Sequence, residues 1–316
     1  MPVRTRGLIV FLAAAGLCAA PLVLGSYQLY LAQLMMINVI AAAGLNLLTG
    51  NCGQISLCHS SFMAIGAYTS ALLVLHTGLS FVPALVIGTL TAALLGACLG
   101  YPARRLSGIY LALVTLGFLQ LVQIVIEEFP ELTGGVRGLS VPKPQIFAYA
   151  FRSDFALHYP LLLATILALF CAVNLQQSRF GRAFDAVRQS AFAAQALSVP
   201  VARTKLLAFA LAAAFAGLAG GLMAATVGFI DPTEFGISVS LRQITFIVVG
   251  GLGSVTGSVL GAVLLTGLPE MLRSTQEYAD LVYGAILLGS LLIMPRGLKG
   301  VLDWLWRLRL VRPAQS

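Results

Sequence analysis

Long apolar segments follow one another along the chain, and they limit the folds available to it more than any other feature. Nine of them approach or exceed the roughly 20 residues that a membrane-spanning helix needs: Gly7–Gly25, Gln28–Leu48, Ser56–Leu75, Phe81–Tyr101, Gly108–Ile126, Leu157–Leu175, Leu206–Phe229, Ile244–Leu268 and Leu281–Pro295. Only 9% of the 316 residues are charged, whereas a soluble domain carries about 25%. The sequence therefore predicts an all-α integral membrane protein, a polytopic helical bundle.

Basic residues indicate the orientation, because cytoplasmic loops of membrane proteins are enriched in lysine and arginine. Arg4 and Arg6 precede the first apolar segment, which is long for a signal peptide and is interpreted as a retained helix. Other basic groups lie at Arg104 and Arg105, within residues 178–205, and in the tail from Arg296. We therefore expect a multi-pass protein of the cell inner (plasma) membrane with both termini in the cytoplasm.

Nine full crossings cannot leave both termini on one side, so one segment is predicted not to cross. Gly250, Gly251 and Gly253 interrupt Ile244–Leu268 near its first third, and glycine weakens a helix interior. We expect a broken, re-entrant segment that enters and leaves by the same side. Eight spans plus this segment are favoured, and ten follow if the glycines form a short hairpin, which gives about 8–10 transmembrane helices.

The remaining composition excludes several classes of protein. No polar stretch is long enough for a second domain, so residues 1–316 are predicted to form one transmembrane domain. The sequence contains no P-loop, HExxH motif or Ser/His/Asp arrangement, so no catalytic residue is predicted. The net charge of +8 is assigned to orientation and lipid headgroups rather than to nucleic acid. We expect buried free thiols and no metal site from Cys18, Cys52, Cys58, Cys98 and Cys171.

Polar residues and glycines interrupt the apolar sequence between residues 44 and 62. Broken helices persist in a membrane only when they are buried in protein or line a wet path, and helix N-termini attract carboxylates. The candidate pathway residues are Asn46, Asn51, Gly53, Gln54, Ser56 and His59. The alternative is a cytoplasmic loop in which Ser56 caps the next helix. His59 is either a hydrogen-bonded packing residue or a proton relay.

Residues 178–205 have the pattern of an amphipathic helix between two spans. Phe180, Phe184, Val187 and Ala191 fall on one helical face, and Pro200 ends the run. Such a helix lies on the anionic inner leaflet or docks into a groove of a cytoplasmic partner. The residue pattern alone does not separate these two interpretations.

Three blocks of the sequence resemble a known family. They are GLNLLTGNCGQISLCHSSFMAIGAYTSALL from Gly44, YLALVTLGFLQLVQIVIEEFPELTGGVRGL from Tyr110, and a third block in two parts, SRFGRAFDAVRQSAFAAQALSVPVARTKLLAFALAAAFAGLAGGL from Ser178 and FIDPTEFGISVSLRQITFIVVGGLGSVTGSVLGAVLLTGLPEML from Phe229. Together they cover most of residues 40–272. The chain resembles the LivM-type permease subunit of branched-chain amino acid ABC transporters.

The resemblance implies a permease domain that carries no cofactor itself and uses ATP on partner subunits. The expected partners are two ATP-binding subunits, a second homologous permease subunit, an extracytoplasmic substrate-binding protein and membrane lipid. It favours docking by the cytoplasmic coupling segment at residues 178–205, whose family-matching residues are Gly181, Arg182, Arg188, Ala193, Ala194 and Lys205. Two departures are an absent acidic residue near Gln189–Ala191 and Ser198 in place of a common glycine.

The sequence leaves alternatives to this function. Urea or short amides are alternative substrates within the same superfamily. A stand-alone secondary transporter is a different class, but its expected signature of acidic residues inside the spans is nearly absent. The Gly257/Gly261 pair predicts close helix packing, either within one bundle or at a subunit seam. The polar loops around Leu132–Pro142 and Phe229–Ser238 either face the binding protein or are ordinary solvated loops.

Overall fold

The structure, a computed structural model, describes residues 25–143 and 154–271, residue 21, and short pieces at 145–146, 149–150, 284–285, 288–289 and 297–300. The predicted spans Gly7–Gly25 and Leu281–Pro295 lie almost entirely outside the described residues, as do most of the C-terminal tail and Cys18. The orientation of the two termini is therefore still a prediction.

The described chain is almost entirely helical. Its helices are α1 (Ser26–Leu45), α2 (His59–Thr77), α3 (Phe81–Ala103), α4 (Ile109–Glu128), α5 (Pro130–Thr133), α6 (Asp154–Gln177), α7 (Arg179–Gln189), α8 (Ala191–Ala196), α9 (Val201–Val227), α10 (Ile237–Gly250) and α11 (Val255–Met271). A π-helical turn, Asn46–Asn51, continues α1, and 3-10 turns form at Gly135–Arg137 and Pro232–Phe235. Four short strands are β1 (Leu139–Ser140), β2 (Gln145–Ile146), β3 (Tyr149–Ala150) and β4 (Phe229–Ile230), with β1 antiparallel to β4 and β2 antiparallel to β3.

The membrane architecture follows from helix length and composition. In the described part of the chain, five helices are long and apolar enough to cross a bilayer: α1 with its π turn, α3, α4, α6 and α9. Outward-facing leucines such as Leu90, Leu94 and Leu113 are exposed on these helices, as expected for surfaces that contact lipid. The prediction of a polytopic helical membrane protein is confirmed.

Small residues bring the central helices into backbone contact. Gly217 of α9 faces Gly66 of α2 so closely that a Cβ added at Gly66 would lie 2.1 Å from the Gly217 carbonyl oxygen. A Cβ at Gly220 would lie 1.9 Å from the carbonyl oxygen of Met63. Close approach of this kind replaces the hydrophobic effect as the driving force for helix association in lipid. Helix α9 is thereby fixed against α2 at the centre of the bundle.

The predicted broken segment is confirmed, and it is a two-helix hairpin. Helix α10 has 14 residues and α11 has 17, so they rise about 21 and 25 Å and fall short of the roughly 30 Å hydrocarbon core. A Cβ at Gly261 would lie 1.9 Å from the Phe246 carbonyl oxygen, and one at Gly250 would lie 2.0 Å from that of Gly257. Gly257 and Gly261 therefore pack within this bundle.

The hairpin begins earlier than predicted. Helix α10 starts at Ile237, whereas the apolar pattern placed the start of the segment at Ile244. The polar residues Ser240 and Arg242 hid this first part from the hydropathy pattern. Ser240 is fully buried and hydrogen-bonded, so the structure tolerates it inside the bundle.

The molecule has two chemically different ends. The turn end, as we name it, carries the π turn, residues 251–254, helices α7 and α8, and the α3–α4 loop at residues 104–108. Lys205 Nζ donates to the Leu106 carbonyl at 3.3 Å and ties that loop to the start of α9. The 27 residues of α9 rise about 40 Å to the opposite end, where β1 pairs with β4.

Candidate functional site

The π turn at the end of α1 is closed by an asparagine side chain. Asn46 Oδ1 accepts from the Gly253 amide at 2.8 Å, so the turn is bound to the break between α10 and α11. A Cβ added at Gly50 would lie 1.8 Å from Asn46 Oδ1 and 2.5 Å from the Gly253 nitrogen. Only glycine fits at Gly50, because the two broken segments meet there.

The turn between α10 and α11 receives a second bond from another helix. Gly251 and Gly253 both have positive φ angles, a conformation that glycine adopts without steric cost. Gln176, near the end of α6, donates through Nε2 to the Gly253 carbonyl at 2.6 Å. Both polar groups of the Gly253 backbone are therefore held by side chains from other helices.

Arg188 of α7 reaches both breaks. Its Nη1 donates to the Gly50 carbonyl in the π turn, and a Cβ at Gly253 would lie 2.8 Å from the same Nη1 atom. Its aliphatic part covers Gly53, where an added Cβ would lie 3.1 Å from Arg188 Cγ. One residue predicted for coupling thus contacts a residue predicted for the pathway.

A second contact joins α7 to the π turn. Asn51 Nδ2 donates to Asp185 Oδ1 at 3.4 Å, and Asp185 lies almost one turn before Arg188 on the same helix. Helix α7 is therefore attached to the π turn by an acceptor, Asp185, and by a donor, Arg188. A displacement of α7 would act on the π turn and on residues 251–254 together.

The chain between the π turn and α2 runs back into the bundle. His59 Nε2 bonds the carbonyl oxygen of Ala41, a residue of α1, at 2.9 Å. The Leu57 amide donates to Thr115 Oγ1 of α4 at 3.0 Å. Within residues 52–58 the positions 52, 54, 56 and 58 are buried among the helices, while positions 53 and 55 are exposed. The His59 bond favours the packing interpretation of this residue.

Ser56 does not cap α2, contrary to the loop interpretation. The helix begins at His59, and Ser56 Oγ contacts Cys58 Sγ at 3.3 Å. The Ser56 hydroxyl is engaged with Cys58 instead of with a backbone amide of the first helical turn, and the Leu57 amide is held by Thr115 of α4. Any helix N-terminus facing the break therefore starts three residues later than predicted.

Several polar atoms in residues 46–61, the segment that we call the break, are buried without a hydrogen-bond partner. In the described residues of this region they are Asn46 Nδ2, Asn51 Oδ1, Gln54 Oε1 and Ser61 Oγ. Buried polar groups are normally satisfied, and leaving one unpaired costs about 1–3 kcal/mol. The break therefore offers one amide donor, two amide acceptors and a hydroxyl to a small polar molecule or to water.

A second polar group lies halfway along the bundle. Gln243 Nε2 of α10 donates to Asn38 Oδ1 of α1 at 3.2 Å, and Asn38 Nδ2 donates to Thr266 Oγ1 of α11 at 3.0 Å. Nearby, the hydroxyls of Ser60 and Ser240 are 2.7 Å apart. All of these side chains are neutral. At these positions the interior between the two ends therefore offers hydrogen-bonding groups but no charge.

The predicted amphipathic helix is two helices. Ser190 is extended, its Oγ accepts from the Ala193 amide at 3.2 Å, and it begins α8. Of the predicted apolar face, Phe184 and Val187 are buried within the chain itself, Phe180 is exposed, and Ala191 starts the new helix. The reason is that a serine hydroxyl competes for backbone amides and favours a cap over a helix interior.

The six predicted coupling residues divide by burial. Gly181 has no room for a side chain, since a Cβ there would lie 2.0 Å from the Gln176 carbonyl oxygen. Ala194 and Lys205 are buried. Arg182, Arg188 and Ala193 are exposed. The first three hold the segment against the bundle, and the last three face the turn-end surface.

Two large apolar side chains project from the same surface. Phe192 of α8 is 85% exposed and Leu197, just after α8, is 77% exposed. The sequence pattern did not assign either residue to a docking surface. One helical face was predicted to continue past Ser190, although α7 ends just before it. Gln176 was not predicted either. The sequence feature that could have identified it is a polar residue at the end of an apolar run.

The cysteine prediction holds for two residues and is wrong for two others. Cys52 and Cys58 are free and buried in the break, whereas Cys98 and Cys171 are free and exposed. Both exposed thiols lie in membrane-spanning helices, α3 and α6. A cysteine behaves there as a small apolar residue that faces lipid.

These features define a polytopic helical membrane protein in which two broken segments are joined by a surface helix. Comparison with known families matches residues 27–291 to the permease component of branched-chain amino acid transport systems. The chain belongs to this family.

Individual relatives agree with this assignment. The chain is 38% identical over 292 residues to the high-affinity branched-chain amino acid transport system permease protein LivM of Escherichia coli K12, covering 85% of this chain and 69% of the relative. It is 27% identical over 286 residues to LivH of the same system and strain, covering 83% and 90%. The autoinducer 2 import permease LsrC of Salmonella paratyphi B is 33% identical over 170 residues, covering 50% and 48%. No solved structure gives a significant match.

Proposed function

We propose that the protein is the permease subunit of an ABC importer that moves branched-chain amino acids across the cell inner membrane. The names of its relatives and the description of its family support this substrate class. Leucine, isoleucine and valine are the expected substrates, with urea or short amides as the alternative. The chain itself is a transporter subunit and not an enzyme, and ATP is hydrolysed on two partner subunits.

The observation that carries the proposal is the position of Arg188. Its guanidinium binds the π turn at Gly50 and lies against Gly253 in the second break. Helix α7 is therefore a lever whose displacement alters both broken segments at once. An ATPase that pulls on α7 would open and close the polar region around residues 46–59.

The docking surface for the ATPase is the exposed side of residues 178–205. Phe192 and Leu197 are apolar anchors of the kind that an amphipathic helix places in a partner's groove. Arg182 lies on the same segment and supplies a positive charge at the rim. Exposed apolar groups of this size, beside the basic end of a membrane protein, are typical of an interaction surface.

The distribution of charge supports a cytoplasmic turn end. Basic residues gather there: Arg104, Arg105, Arg179, Arg182, Arg188, Arg203 and Lys205. Acidic residues are found at the opposite end: Glu127, Glu128, Glu131, Asp231 and Glu234. By the positive-inside rule, α7 and α8 face the cytoplasm, where the ATPases are.

The pathway is proposed to pass the unpaired polar atoms of the break. A zwitterionic amino acid has an acceptor carboxylate for Asn46 Nδ2 and a donor ammonium for the oxygens of Asn51 and Gln54. Neutral side chains suit such a substrate, because a fixed charge would hold one half of it and repel the other. Gly53 keeps the turn open beneath Arg188, while Ser56 and His59 shape its wall.

Further subunits complete the proposed importer. A second, homologous permease subunit would pair with this one, and an extracytoplasmic binding protein would deliver the amino acid to the end opposite the turns. The family and the two different permease proteins of one system among the relatives support this arrangement. The stand-alone secondary transporter receives no such support, since acidic residues in the described membrane helices lie only near helix ends.

Charge reversal at Arg188 tests the proposal. In proteoliposomes that contain the permeases, ATPases and binding protein, Arg188→Glu is expected to lower ATP-driven leucine uptake at least about tenfold. Loss of a hydrogen bond to a charged group costs about 1.5–3 kcal/mol, and about 1.4 kcal/mol corresponds to tenfold. Membrane insertion of the variant should be unchanged.

The matched control is Arg105→Glu, an exposed arginine of the α3–α4 loop at the same end that undergoes the same change of charge. Uptake by this variant should stay near that of the unaltered protein. Undiminished uptake by Arg188→Glu would remove α7 from the coupling mechanism.

A further inference from the structure

A cavity opens at the end opposite the turns, between α1, the end of α9 and the 3-10 turn after β4. Its volume is about 370 Å³, within the usual range for small-molecule sites. It is lined by Tyr30, Leu34, Met223, Ala224, Val227, Phe229, Ile230, Asp231, Glu234 and Phe235. Most of its wall is aliphatic or aromatic, so it can enclose an apolar side chain.

The polar part of the wall has one sign of charge. Asp231 and Glu234 are acidic, and none of the lining residues is Lys, Arg or His. Asp231 is held in place because its Oδ1 accepts from both the amide and the hydroxyl of Thr233 at 2.8 Å. Two carboxylates at a water-facing opening with apolar walls attract a cation that carries an apolar group.

A buried hydroxyl near the acidic wall lacks a partner. The Tyr68 side chain is only 5% exposed, and its hydroxyl makes no hydrogen bond. Its ring packs against Phe235 of the cavity wall, with the ring centroids 6.5 Å apart. The negative charge of Asp231 interacts with the Tyr68 hydroxyl. Tyr68 is not itself one of the residues that line the cavity, so the inference is carried by the cavity and its acidic wall.

We propose that this cavity binds a small primary amine with a branched apolar side chain, and that it receives the transported amino acid before passage. The ammonium group would pair with Asp231 and Glu234, and the side chain would lie against Leu34, Met223 and Phe235. The substrate's carboxylate would point to the opening, since the wall offers it no cation. This inference rests on the proposed function in one respect, the identity of the ligand as the transported amino acid. The requirement for an amine group is inferred from the cavity alone.

A reporter cysteine in the wall tests the charge of the cavity. Val227→Cys, in a chain whose Cys18, Cys98 and Cys171 are serine, should react about fivefold faster with a cationic methanethiosulfonate than with an anionic one, because nearby carboxylates favour the cation by about 1 kcal/mol. Glu234→Gln should lower that preference to about twofold, because Asp231 keeps its charge. Glu131→Gln, an exposed acid at the same end that does not line the cavity, should leave it unchanged.

Competition then identifies the ligand group. Leucine and leucinol, which carry the amine, should slow labelling of Cys at position 227, whereas 4-methylpentanoate, which lacks it, should not. Equal labelling by both reagents, or protection by the carboxylate alone, would overturn the proposal. ATP-driven uptake measured on the same samples separates the two claims: absent protection with intact uptake contradicts the cavity site only, and protection without ATP-dependent uptake contradicts the proposed function only.

Discussion

Arg188 and Gly53 illustrate, at the scale of single residues, how the two groups of candidate residues come into contact. Arg188 lies across Gly53 on its way to the Gly50 carbonyl. Gly53 has a φ of +71°, a conformation that costs other residues about 1–2 kcal/mol. The absence of a side chain at Gly53 therefore permits both the turn and the passage of the arginine.

Substitution of Gly53 tests this dependence. Gly53→Leu is expected to reduce ATP-driven uptake about tenfold or more, because the new side chain must displace Arg188 as well as strain the backbone. Gly78→Leu is the matched control, since Gly78 also has a positive φ of +65° but nothing within 4 Å of an added Cβ. Uptake of radiolabelled leucine, normalised to inserted protein, compares the two variants.

The expected order of uptake is therefore Gly53→Leu far below Gly78→Leu. Equal uptake by the two variants would mean that only backbone strain matters and would leave residues 49–55 as an ordinary loop.

Sequence reasoning found some residues of the site and missed others for a clear reason. Asn46 and Asn51 stood out because polar side chains are rare in apolar runs. The sequence could not show that Gly253 contacts Gln176, 77 positions away, or Asn46, 207 positions away. Local sequence patterns carry no information about contacts between such distant residues.

Ser198 is a departure from the family pattern that the structure explains only in part. Its φ is +62°, in the left-handed region where helices commonly end on glycine. The bonds from Ser198 to Gln195 and from Val199 to Ala194 form the usual helix-ending turn of α8. The structure therefore accounts for the common glycine, and nothing in it explains the serine.

At the scale of elements, the spans were predictable and their ends were less so. An apolar run of about 20 residues has few alternatives to a helix in lipid, and α3 and α4 lie within two residues of their predicted bounds. The predicted start of α2 and the prediction of a single helix through Ser190 were wrong. The Leu57 amide bonds Thr115 of α4 and the Ala193 amide bonds Ser190, and hydropathy reports neither a tertiary contact nor a helix cap.

The α10–α11 hairpin depends on glycines at the crossing of its two helices. Gly261→Ala is expected to destabilise the folded protein by about 1–3 kcal/mol, the usual cost of overpacking, because the new Cβ would meet the Phe246 carbonyl oxygen at 1.9 Å. A carbonyl oxygen in a helix cannot turn aside. Thermal unfolding in detergent should show a lower midpoint.

Gly267→Ala in the same helix is the control. Its Cβ would meet only Met35 Cε, at 2.8 Å, and that flexible side-chain end can move. Alanine also favours a helix over glycine by about 1 kcal/mol, so the midpoint should be unchanged or slightly higher. An equal fall for both variants would show that the hairpin is not held by backbone contact at Gly261.

At the scale of the whole molecule, two polar regions lie at opposite ends of α1. Tyr30 lines the acidic cavity, Asn38 belongs to the neutral group at mid-depth, and Asn46 closes the break. Neutral hydrogen-bonding groups between two wet ends suit a zwitterion, because neither of its charges meets a fixed counter-charge on the way. Composition and orientation rules predicted the separation of the ends, whereas the cavity required the folded structure.

The same separation of the two ends suits the roles proposed for them in transport. The opposite end presents the cavity and the acidic loops, and the turn end presents a basic surface with Phe192 exposed on α8. The described membrane helices carry acidic residues only near their ends, so an ion gradient has no acidic group at mid-depth to protonate, and the buried His59 is hydrogen-bonded to Ala41. Under the proposed function, the energy source therefore lies on partner subunits that act on α7.

Uptake by purified protein under two energy sources is the most direct measurement of that claim. In sealed proteoliposomes, the chain assembled with its second permease, ATPases and binding protein should concentrate leucine only when ATP is supplied on the side of the turn end. The chain reconstituted alone should not concentrate leucine under a proton or sodium gradient. Uphill leucine uptake by the isolated chain on either gradient would contradict the account.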